Sequence, residues 1–223
     1  MLIHPTLRMQ SWGFTIGSLL FALGSAPVLA TQLGTVGANT AFFVGSWFFT
    51  YAAFIQLILS GAATTEVAGR PAIRAEWLAA ATQFLGTILF NISTGAALHA
   101  HTIASEKHYV WTPNAEGSIG FLISSSLAIL MLVRAGNLWE PRSLDWQSGW
   151  LNALGSLAFG LSAAGSFITQ SGSVEDAALA NSGTFVGALC FFAASVIFLG
   201  RSSRPAPASV DATDSVSPSN ELS

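Results

Sequence analysis

GSLAF, residues 155–159, places a Gly-Ser pair inside an apolar run, and nearly the same letters occur as GSLLF at 17–21 and GTILF at 86–90. Gly17, Gly86 and Gly155 are 69 residues apart and 69 again. Phenylalanine follows each glycine four positions on, as Phe21, Phe90 and Phe159, and a small residue follows three later, as Gly24, Ser93 and Ser162. Positions i, i+4 and i+7 share one helix face, so the pattern predicts three helices with the same small–aromatic–small stripe. Such a stripe suits helices packing in lipid, where close backbone approach and interhelical hydrogen bonds replace hydrophobic burial as the driving force. A repeated packing seam is the preferred reading; a repeated lining of a central pathway is the alternative.

Composition supports lipid as the solvent. Charged residues are 9% of the chain and hydrophobic ones 52%, with mean hydropathy +0.57, whereas a soluble domain carries about a quarter charged residues. Six segments without interior charge, 12–30, 40–60, 77–98, 117–134, 150–168 and 182–200, are each long enough to cross a bilayer core as a helix. The expected fold is all-α, six transmembrane helices paired into three repeated hairpins at 12–60, 77–134 and 150–200. A short N-terminus (1–11), connections at 61–76 and 135–149, and a Pro- and Ser-rich disordered tail (201–223) complete the division. The Val28-Leu29-Ala30 end of the first span resembles a signal-peptide cleavage site. Its share in the repeat argues that this span is retained.

All seven arginines, at 8, 70, 74, 134, 142, 201 and 204, fall on one side of this arrangement. By the positive-inside rule that side, with both termini and the two connections, is cytoplasmic in an inner membrane. No basic stripe suggests nucleic acid. The expected partners are the lipid bilayer and a membrane-protein partner or second copy.

The even spans carry a second repeat. Asn39, Asn114 and Asn181 each precede a glycine by six residues, Gly45, Gly120 and Gly187, and Phe49 and Phe191 repeat the i+4 aromatic, which Ser124 replaces in the middle copy. The asparagines are read as N-terminal helix caps. WGFTIGSLLFALGS with NTAFFVGSWFFTYAAFIQLI, and WLNALGSLAFGL with NSGTFVGALCFF, resemble the YrhK-like domain, a bacterial membrane hairpin. The middle pair diverges, with Trp77 nine residues before Gly86 where the other copies have five. This resemblance implies topology and no activity.

Chemistry is sparse. The absence of charge within the spans argues against an ion-coupled carrier, no nucleophile or phosphate-loop motif occurs, and neither catalysis nor a cofactor is expected. Gln83, Asn91 and Thr94 lie near one face of the third span, either as a hydrogen-bond ladder or as part of a solute site. His99, His101 and His108 gather in the loop 98–114, a weak metal candidate set aside for a solvated loop with Tyr109 and Trp111 at the interface. The leading expectation is a structural or accessory membrane protein; the alternatives are a carrier or channel for a small neutral solute and an outward metal site. A carrier should enclose a continuous polar cavity. A scaffold should have a filled centre and leave small-residue stripes facing lipid.

Overall fold

The structure, a computed structural model, describes residues 4–202. It is mostly helical. Six long helices dominate: α1 (Leu7–Ser25), α2 (Pro27–Leu59), α3 (Ala75–Ala96), α5 (Thr112–Arg134), α6 (Leu144–Gly165) and α7 (Ala177–Ser202). Before α5 come a single turn, α4 (Ile103–Ser105), and a π-helical stretch, Glu106–Trp111. Three of these, Pro27–Leu59, Ile103–Arg134 and Ala177–Gly200, are long and apolar enough to cross a membrane. The remainder of the expected tail, 203–223, lies outside the described residues.

Helix boundaries follow local chemistry. The Thr6 hydroxyl caps α1 by accepting from the Met9 amide at 3.2 Å, and an Asp176 carboxylate oxygen accepts from the Leu179 amide at the start of α7. Pro27 ends α1 and begins α2. It holds Ala26 extended (φ −63°, ψ 126°) and occupies the first helical position, where its missing N–H costs nothing. The sequence-based first span, 12–30, is therefore corrected: residues 27–30 belong to the second helix, and each of the other helices starts two to six residues before its predicted span. Helix α2 is broken once, at Gly34 (φ 64°, ψ 175°), a conformation essentially confined to glycine. The connection 61–76 is not featureless; it holds an exposed antiparallel hairpin, β1 (Thr64–Val67) with β2 (Arg70–Ile73).

The six helices close into a ring in the order α1, α2, α3, α5, α6, α7 and back to α1, each packing mainly on its two neighbours. The tightest seams join α1 to α2, α3 to α5 and α6 to α7, and glycine explains why. A Cβ on Gly17 would meet the Gly45 carbonyl at 3.0 Å, one on Gly86 the Gly117 carbonyl at 2.9 Å, and one on Gly155 the Gly187 carbonyl at 3.2 Å. Each helix of a pair lays its phenylalanine over the partner's glycine, for example Phe121 over Gly86 and Phe90 over Gly117. The register of the middle copy is thereby corrected. Gly117, not Gly120, matches Gly45 and Gly187, and Phe121 completes the i+4 aromatic that the sequence reading took to be lost. Gly120 packs instead on the Thr82 carbonyl and the Gly86 backbone.

Candidate functional site

With one glycine–phenylalanine unit on every long helix, the phenylalanines converge. Phe21, Phe90 and Phe159 form one triangle with centroids 5.8–6.3 Å apart, and Phe49, Phe121 and Phe191 form a second, 5.7–6.4 Å apart. Within each helix pair the two layers touch at 5.1–5.6 Å. Most of these contacts are edge-to-face, the arrangement the ring quadrupole favours. All six rings are at most 5% exposed. The space between five of them is about 10 Å³, at the lower limit for one water and without a polar group to hold it. A threefold sequence repeat has thus produced a dry waist on the axis of the ring.

A polar vestibule opens on either side of this waist. At one end a cavity of about 200 Å³ is floored by Phe21, Phe90 and Phe159 and walled by Asn39, Asn114, Asn181 and the hydroxyl residues of α3, α6 and α7. None of its lining residues is charged. At the other end, where Arg8, Arg74 and Arg134 mark the helix termini, a larger cavity of about 590 Å³ is lined by Gln10, Gln56, Gln83 and Asn152, with Glu76 and Asp145 near its mouth and Phe191 at its floor. The Oε1 of Gln56 is buried there without a hydrogen-bond partner.

The residues singled out from the sequence do not form one site. Gln83 lines the arginine-end vestibule, where its Oε1 accepts from the Ser124 hydroxyl at 3.1 Å. Thr94 lines the opposite vestibule and pairs with Ser46 at 3.1 Å. Asn91 sits between them in the α2–α3 contact, donating to the Thr50 hydroxyl oxygen at 2.8 Å while its own Oδ1 is buried and unpartnered. The Gly-Ser pairs serve the seams: Ser156 and Thr87 turn their hydroxyls back to their own helices, and Ser18 Oγ has no partner.

The asparagines are not helix caps. Asn39 and Asn114 lie inside helical segments and donate across to the next pair, Asn39 to the Ala97 carbonyl at 3.1 Å and Asn114 to the Ser166 hydroxyl oxygen at 3.2 Å. Trp111 is likewise drawn inward, its indole N–H donating to the Ala163 carbonyl at 2.9 Å and its ring meeting Phe167 edge-on. Tyr109 stays exposed. Among the described residues no three His, Cys, Asp or Glu side chains come close enough to hold a metal ion, so His99, His101 and His108 are not assembled into a centre.

The paired vestibules and the phenylalanine waist were missed because no single stretch announces them. The signal available was the i+4 phenylalanine on all six helices, legible once GSIGF at 117–121 is aligned with GSWFF at 45–49. No protein-family model, no curated protein and no solved structure matches this chain. The class of protein therefore rests on its own residues: a helical protein with at least three helices able to cross a bilayer.

Proposed function

We propose that the chain is a six-span bacterial inner-membrane protein of three YrhK-like hairpins, arginine end toward the cytoplasm, enclosing a closed pathway for a small neutral solute. One observation carries the reading: two polar vestibules lie on the same axis and only two layers of phenylalanine rings separate them. Displacing those rings, which are packed on the partner glycines, would join the two vestibules, and the uncharged lining of the asparagine end suits a neutral solute. A structural or accessory role is the second reading: the waist interrupts the continuous polar cavity expected of a carrier and supplies the filled centre expected of a scaffold. Gly17, Gly86 and Gly155 face helices of the same chain, which supports seams that pack the hairpins together.

Reconstituted vesicles test the choice. Wild-type protein is expected to let a small neutral solute such as glycerol or urea equilibrate faster than protein-free vesicles, followed by light scattering, and to exclude sucrose. Phe90→Ala with Phe159→Ala is expected to speed the small solutes further. Permeability equal to empty vesicles for both proteins, with the variant still folded, rejects the pathway and leaves the accessory role.

A further inference from the structure

The hydroxyl groups of the asparagine-end vestibule have a property that their positions alone do not reveal. Each is already committed as a donor. Ser93 donates to the Val110 carbonyl at 2.7 Å and Ser166 to the Ala163 carbonyl at 3.0 Å. Thr94 lies 2.7 Å from the Phe90 carbonyl and 3.1 Å from the Ser46 hydroxyl, so its single proton is engaged within the protein either way. Ser162 and Thr184 share the Ala180 carbonyl and lie 2.7 Å from each other, so both of their protons are held in that triangle. A hydroxyl with its proton engaged still has acceptor capacity, of which Ser166 already spends one lone pair on the Asn114 amide.

The amides lean the same way. Asn39 and Asn114 use an Nδ2–H to tie neighbouring helices together, which leaves their Oδ1 atoms without a protein donor. A few amide N–H groups remain, the second hydrogens of Asn39 and Asn114 and those of Asn181, against a larger set of oxygen lone pairs. Beneath them lie three phenyl rings, and no carboxylate or basic group lines the cavity. A bare cation would have no counter-charge to offset its desolvation, and a solute offering only acceptors would find few partners.

We propose that this vestibule binds a small, flat, neutral molecule rich in N–H donors, of the urea and primary carboxamide class, its N–H groups on the asparagine and hydroxyl oxygens and its flat face on Phe21, Phe90 and Phe159. The assignment rests on the solute-pathway reading in making this molecule the substrate. The opposite vestibule does not share the bias, because Gln10, Gln56 and Asn152 there offer amide donors and acceptors together.

Binding by so small a molecule is weak, in the millimolar range, and saturation-transfer NMR on the full chain in detergent micelles reads it directly. Acetamide and urea are the probes, and acetone, of similar size but without donors, is the control. The expected result is competition between acetamide and urea for one site, with acetamide favoured over acetone by about tenfold. Asn39→Leu with Asn114→Leu should abolish that preference. Those changes remove interhelical bonds, so Asn181→Leu, whose side chain makes no hydrogen bond among the described residues, provides a variant that keeps the fold and should lower acetamide binding several-fold. Equal acetamide and acetone signals, or no change in the folded Asn181 variant, overturns the proposal. Because the measurement needs no vesicle, the two readings fail separately. Donor-selective binding without solute flux removes the pathway alone, and flux without donor preference removes the substrate class alone.

Discussion

The ring has two kinds of seam, and they obey different physics. Within each helix pair the repeated contact is steric, glycine backbone against glycine backbone with a phenylalanine ring filling the step, in the same form three times; two pairs add a hydrogen bond, Ser124 to Gln83 between α3 and α5 and Ser162 to the Ala180 carbonyl between α6 and α7. Between pairs the contact is polar and differs every time. The α2–α3 seam uses Ser46 with Thr94 and Asn91 with Thr50; α5–α6 uses Ser118, Asn114 and Trp111 on backbone and hydroxyl oxygens of α6; α7–α1 has one hydroxyl pair, Thr15 with Ser195 at 2.9 Å. A steric seam has essentially one solution, since only glycine admits a backbone that close. Donor and acceptor pairs can be placed in many ways, so the copies have diverged there.

Breaking the steric seams should cost most. Gly86→Ala puts a Cβ 2.9 Å from the Gly117 carbonyl and the Phe121 ring, Gly17→Ala puts one 3.0 Å from the Gly45 carbonyl, and Gly155→Ala puts one no closer than 3.1 Å to Cys190 and Phe191. Overpacking of this kind costs about 1–3 kcal/mol. Thermal unfolding should show Gly86, where the new atom falls within 3.0 Å of a backbone oxygen, as the most damaging of the three, and a Gly86 variant no less stable than the other two would undo the steric account. Next comes Thr50→Val, which removes the acceptor of the Asn91 amide; the loss should be about 0.6–1.7 kcal/mol by the same assay. Thr15→Val should matter least, below about 0.6 kcal/mol. Ser195 retains the Phe192 carbonyl as a partner, so no polar group is left stranded. A Thr15 variant as damaging as the Gly86 variant would erase the distinction.

The same contrast explains what could be read from the chain. Gly17, Gly86 and Gly155 were visible as seams because a steric rule acts locally, at fixed helical spacing. Gly120 was mistaken for Gly117 because the asparagine spacing chosen to align the even helices belongs to the polar seams, where Trp111 stands six residues before Gly117 and Asn114 only three. Pro27 was a local signal that the hydropathy of 12–30 obscured. Gln83, Asn91 and Thr94 share a helix face, yet the waist and the α2–α3 contact distribute them among three surroundings. That distribution depends on which helix lies opposite, and periodicity along one helix carries no such information.

The elbow at Gly34 bears on thickness. Helix α2 has 33 residues, about 50 Å if straight, against a hydrocarbon slab of about 30 Å. A rigid rod of that length would have to lean steeply or stretch the lipid around it. The glycine joint turns aside the opening stretch of α2, with its exposed Val28, Leu29 and Leu33, and the remaining rod is within a few turns of the slab's depth. In a bilayer of that depth a single φ angle would absorb the mismatch, and α2 would need no tilt out of step with its neighbours in the ring.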